Sequence, residues 1–131
     1  MRILHFSDIH ISTTLREIPF TQWFGKRAIG ATNLLRGRSR YFDLAEEKIT
    51  ALTRFKREHS VDLVICTGDY TALGLEKEMA HARAVIEPLT DAPAGFVTVP
   101  GNHDIYVKEV IRQLRFTLHF SDFLHSDMPS F

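Results

Sequence analysis

Three short apolar runs constrain this chain more than any other feature. "RILHFSD" from Arg2, "VDLVICTGD" from Val61 and "GFVTVPGN" from Gly95 each end in a small polar or turn-forming cluster. Runs this short, closed by Ser, Gly or Pro, suit strands buried on both faces. Helical patterns stand between them. Residues 43 to 59 open with Asp43 and carry Glu46 three positions on, as a capping box does. Ala45, Ile49, Leu52 and Phe55 then recur at helical spacing, with acids at the start and Arg54, Lys56 and Arg57 near the end. That polarity favours the helix dipole. Leu75, Met79, Ala82, Ile86 and Leu89 step by three and four until Pro88 kinks or ends the helix. Val107, Val110, Ile111, Leu114 and Leu118 predict a third helix.

Strand, helix, strand, helix, strand is the order of an α/β fold. It implies a βαβαβ parallel sheet with right-handed crossovers and flanking helices. In such a sheet the carboxyl ends of the strands share one edge, where ligands bind. Asp8 and His10, then Asp69, then Asn102 and His103 each follow a strand directly. The topology therefore gathers residues far apart in sequence onto one rim.

The donors are carboxylate, imidazole and amide oxygen, without thiolate. Such a set suits divalent ions of the manganese, iron or zinc type. Asp8 and His10 can turn toward one ion, and Asp69 can offer its two oxygens to two. Two ions roughly 3.5–4 Å apart serve displacement at phosphorus, where a metal-activated hydroxide attacks in line. Each element also has a plainer reading. Asp8 can cap a turn beside a surface His10, and Gly68-Asp69 can be a turn pair. Asn102 after a glycine can be a turn residue, His103 a hydrogen-bonded loop histidine, and Asp104 the N-cap of the next helix. The conjunction of compatible donors at three strand ends favours the metal reading.

Bulk properties narrow the field little. A length of 131 residues fits one domain, and an apolar fraction of 44% is that of a folded soluble protein. Sixteen basic and sixteen acidic residues cancel, so charge alone points to no polyanionic partner. Cys66 has no second cysteine to pair with, sits mid-strand, and reads as a small buried hydrophobe in an intracellular chain. No signal peptide or membrane span is visible, so the expected compartment is the cytoplasm. Residues 13 to 42 break the rhythm as a basic insertion, with Arg36, Arg38 and Arg40 near Trp23 and Phe24. It reads as a solvated excursion, a cap that offers arginine to phosphate, a peripheral membrane contact, or a weakly supported nucleic-acid groove.

"DIH" at 8–10, "GDYT" at 68–71 and "GNHD" at 101–104 resemble the first three motifs of the calcineurin-like metallophosphoesterases, in the same order and after successive strands. The resemblance implies the N-terminal half of an αββα sandwich and hydrolysis of phosphomonoesters or phosphodiesters with two divalent ions. It implies that Asp8 and His10 hold the first ion, Asp69 bridges, and Asn102 binds the second. His103 would contact the phosphate, stabilising charge or protonating the leaving oxygen. Three departures disfavour a protein phosphatase: Ile11 after His10, Ala72-Leu73-Gly74 after Thr71, and Asp104 in place of Glu. Small phosphoesters, nucleotides or lipid headgroups fit better, with a nuclease as the alternative enzyme.

The family's later Gly-His and Gly-His-x-His motifs are absent. His5 reads as a packed core residue, His81 as solvated, and His119 and His125 as C-terminal residues that could still be recruited to the ions. The expectation is therefore a single incomplete domain over 1–131, inactive or impaired alone, whose partner is the C-terminal half. A non-catalytic scaffold is the alternative from another class.

Overall fold

The three apolar runs pair side by side. β1 (Ile3–Phe6), β2 (Leu63–Cys66) and β3 (Phe96–Thr98) form a parallel sheet in sequence order. Ile3 lies opposite Leu63, and Val64 opposite Phe96. The computed structural model describes residues 1–11, 44–105 and 108–124. The basic insertion with Arg36, Arg38 and Arg40 lies outside them, as do Asp43, Val107 and His125. The helices are α1 (Ala45–Glu58), α2 (Glu76–Ile86), α3 (Lys108–Arg112) and α4 (Arg115–Phe120). This is the α/β architecture that the pattern of runs predicts.

Alternation along each strand decides what the sheet buries. Leu4, Phe6, Val64, Cys66 and Phe96 point to one face and join a single core with Ile49, Met79, Ile86, Leu89, Phe116 and Phe120. The opposite face is less covered: Ile3 is 50% exposed, His5 is exposed, and Leu63, Ile65 and Val97 are half-buried. Burial on both faces is thus corrected to burial on one, among the described residues. His5 is corrected with it. Strand period places it opposite Leu4 and Phe6, where its Nε2 shares a hydrogen bond of 3.0 Å with Thr67 Oγ1.

α1 begins at Ala45 with Leu44 as N-cap and no side-chain cap bond. The Asp43 half of the expected capping box lies outside the described residues. Glu46 accepts a 2.9 Å hydrogen bond from His81 Nε2, which ties α1 to α2 while His81 stays exposed, as its polar position suggests. At the other end of α1, buried Lys56 donates to the Pro88 carbonyl at 2.7 Å and pairs with Asp91. A buried ammonium requires such partners. The hydrogen bond from Lys56 holds the Asp91 carboxyl below its usual range. α2 keeps its predicted face, with Met79, Ala82 and Ile86 fully buried, and passes at Pro88 into a 3-10 turn, Glu87–Leu89.

The third predicted helix is two. Leu114 adopts a left-handed conformation (φ 50°) that separates α3 from α4 and resets the helical phase. Ile111, Leu114 and Leu118 are 52%, 60% and 72% exposed, while Val110, Phe116 and Phe120 are buried. The aromatic rings explain the change. Phe120 stacks on buried Tyr70 at 4.6 Å and on Phe116 at 4.7 Å, and rings of this size dominate packing. Buried Arg115 locks the break by donating to the Gly74 carbonyl at 3.1 Å. Among the described residues no helix is long and apolar enough to cross a membrane.

Phe120→Ala is expected to lower unfolding free energy by about 3–5 kcal/mol, and Leu118→Ala to change it by less than about 0.5 kcal/mol. Urea unfolding of both variants checks this. The reverse ranking would restore the face that apolar spacing alone suggests.

Candidate metal centre

Beyond the sheet, the chain segments after β1 and β2 stay zipped together. Asp8 N donates to Gly68 O at 3.1 Å, His10 N to Asp69 O at 3.1 Å, and Ile11 N to Tyr70 O at 2.7 Å. Ile9 and Ile11 turn into the core, so Asp8 and His10, the intervening residues, are left to the rim. Asp8, His10 and Asp69 hold left-handed backbones, with φ of 58°, 48° and 58°. Asp and His accept this region more readily than most residues. The conformation still costs free energy, and such strain clusters at functional sites.

Two glycines bring the third loop in. A Cβ on Gly68 would lie 2.0 Å from Gly101 N, and one on Gly101 would lie 2.1 Å from Asp69 Oδ1. Neither position has room for a side chain. The glycine before Asp69 and the glycine before Asn102 are thus required by one backbone contact.

The donors converge on this scaffold. One ligand atom each from Asp8, His10 and Asp69 lies within 4.8 Å of the others. That span is close to the roughly 4–4.5 Å available to donors about 2.0–2.2 Å from one ion. Asp8 Oδ1 lies 3.5 Å from His10 Nε2, and Ser7 Oγ donates to Asp8 Oδ2. Asn102 sits against Asp69. With its amide nitrogen donating to Asp69 Oδ2 at 3.2 Å, its oxygen accepts from His103 N at 3.3 Å. The opposite orientation sets amide oxygen against carboxylate oxygen, which a cation between them would make favourable. The mixed oxygen and nitrogen set therefore fits a divalent ion of the manganese, iron or zinc type.

His103 stands beside these donors. Its ring meets that of His10 edge to face, centroids 4.9 Å apart, and its N–H donates to Asp69 Oδ1 at 2.9 Å. Its Nδ1 lies 2.9 Å from the Ala72 carbonyl. A carbonyl only accepts, so Nδ1 is the nitrogen that carries the proton in this contact.

Asp104 corrects an expectation. The described part of α3 begins at Lys108, and among the described residues Asp104 bonds to loop donors rather than to a helix N-terminus. Its fully buried carboxylate instead accepts from Gly101 N, Tyr70 N, Thr71 N and Thr71 Oγ1 at 3.0–3.2 Å. Burial pushes its carboxyl above the usual range, and those donors oppose the shift. Glu78 is a second buried carboxylate that sequence reasoning missed. It accepts from Leu73 N at 2.9 Å and Leu75 N at 3.1 Å, and so fixes the segment that carries the Ala72 carbonyl. Its place three residues after the N-cap of α2 was the available signal. Cys66 is fully buried, as expected of a small hydrophobe, and burial pushes its thiol up to about 11. His119 pairs with Glu76 at 2.6 Å.

The calcineurin-like phosphoesterase family model matches residues 1–130. None of the curated proteins and none of the solved structures compared with the chain matches it.

Gly95 supplies a control for the glycine contact, since it also has positive φ (94°) but nothing within 4 Å of an added Cβ. Gly95→Ala is expected to cost about 1–2 kcal/mol, the left-handed penalty alone, and Gly68→Ala clearly more. Equal losses in urea unfolding would contradict the close approach of the loops.

Proposed function

The chain belongs to the calcineurin-like phosphoesterase family, and from that premise we propose that it hydrolyses phosphoester bonds at the rim described above. Asp8, His10, Asp69 and Asn102 are the proposed metal ligands, and His103 the residue that meets the phosphate. The observation that carries this reading is the convergence of Asp8, His10 and Asp69 within 4.8 Å, beside the ring of His103.

Divalent ions held there would polarise phosphoryl oxygens and acidify water, the chemistry that a two-ion site supplies to displacement at phosphorus. The chain's own residues do the rest. Asp69 lies at the centre, with one oxygen on the His103 backbone and the other facing Asn102. That position suits a carboxylate shared between two ions. Four donors do not fill two coordination shells, so further ligands are expected from outside the described residues. The Ala72 carbonyl holds the His103 Nδ1 proton in place. Protonated at Nε2, His103 would donate to a phosphoryl or leaving-group oxygen as negative charge builds there. Asp8 and Asn102 are exposed, so a small phosphomonoester or phosphodiester can reach the rim from solvent. Nucleotides and lipid headgroups share that chemistry.

Turnover of p-nitrophenyl phosphate and bis(p-nitrophenyl) phosphate tests the proposal, with manganese, zinc or iron(II) added to the protein at its natural length. Asp69→Asn is expected to lower kcat/KM by about 100-fold or more, with unchanged circular dichroism. A near-normal rate in that variant would remove Asp69 from the centre. No turnover with any of the ions would contradict the enzyme reading.

A further inference from the structure

We propose that Asp104 is a positioning residue whose carboxylate sets the spacing between the Asp69 and Asn102–His103 loops, and thereby the ion affinity of the rim. The inference rests on the metal-dependent reading above and extends it to a residue with no place in the ligand set.

The two loops hold each other by exchange. Asp69, in the loop after β2, accepts the N–H of His103 in the loop after β3. Asp104, in the loop after β3, accepts the N–H groups of Tyr70 and Thr71 in the loop after β2. Each loop thus presents a carboxylate to the backbone of the other. Asp104 does more than reciprocate. Its Oδ2 takes both Tyr70 N at 3.2 Å and Gly101 N at 3.0 Å. Tyr70 follows Asp69, and Gly101 precedes Asn102. One oxygen atom is therefore bonded to the backbone neighbours of two proposed ligands. Its Oδ1 takes Thr71 N and Thr71 Oγ1, both at 3.0 Å, which fixes the carboxylate plane.

The chemistry calls for a carboxylate of this length. All four partners named are donors, and Asp104 is fully buried, so no water replaces a lost acceptor. An amide offers one acceptor oxygen. Its NH2 group would have to face either the Thr71 pair or the Tyr70–Gly101 pair, donor against donor. The loops cannot close up to compensate, because the Gly68–Gly101 contact leaves no space. They can only part, and that moves Asp69 away from Asn102 and His103. Residues that orient metal ligands typically change affinity 10- to 100-fold when altered.

Manganese titration of the full chain by calorimetry tests this at a temperature where circular dichroism shows each variant folded. Asp104→Asn is expected to weaken manganese binding by about 10- to 100-fold. Lys56→Met is the control: it removes a different buried polar contact, lowers stability, and is expected to keep wild-type affinity. Wild-type affinity in folded Asp104→Asn would make Asp104 purely structural and overturn the proposal. An equal loss in Lys56→Met would overturn it too, by tying affinity to stability in general. If Asp104→Asn does not fold, Thr71→Val carries the test, since it removes one donor and keeps the side-chain shape. A several-fold loss there supports the proposal, and no change overturns it. No manganese binding by the wild type would instead sink the metal-dependent reading itself.

Discussion

The contact between the backbones of Gly68 and Gly101 is the constraint on which the rim depends. Parallel pairing delivers three strand ends to one edge, but delivery alone leaves the loops several ångströms apart. The final approach needs two residues without side chains, and an added Cβ on either would meet the other loop at about 2 Å. With the loops in contact, Asp69 reaches the His103 N–H and Asp104 reaches Tyr70 and Thr71. Asn102 then lies against Asp69. The glycines in the "GD" and "GN" pairs are therefore part of the scaffold that brings these residues together.

The neighbouring donors come at a local cost in backbone strain. Asp8, His10 and Asp69 all have positive φ, a conformation that L-residues adopt at the expense of stability. The backbone hydrogen bonds that zip residues 8–11 to residues 68–72, the last of them from Ala72 N to Ile11 O, hold that strain in place, and the core burial of Ile9 and Ile11 anchors it. In "DIHI" the two isoleucines turn inward and leave the aspartate and histidine at the rim. A single tetrapeptide thus carries both the packing and the chemistry.

Much of this was legible in the sequence because the relevant patterns are local. The strands, the apolar face of α2 and its end at Pro88 follow from period and composition. The donors follow from what stands just after each strand. The rest was hidden for physical reasons. Asp104 looked like a cap because its partners, Tyr70 and Thr71, lie more than thirty positions away in sequence and no local pattern marks them. The third helix misled because Ile111, Leu114 and Leu118 keep helical spacing, while the choice of buried face was made by Tyr70 stacking on Phe120. His5 stands in an apolar run, yet strand alternation turns it outward. In each case a long-range contact outweighed a local preference.

The central claim is that Asp8, His10, Asp69 and Asn102 form a single centre for divalent ions. Anomalous scattering from crystals soaked in manganese tests it most directly. The account predicts a manganese peak at the rim in contact with the Asp8, His10 and Asp69 side chains, with the amide oxygen of Asn102 turned to face Asp69. A peak elsewhere, or no peak at saturating manganese, would contradict it.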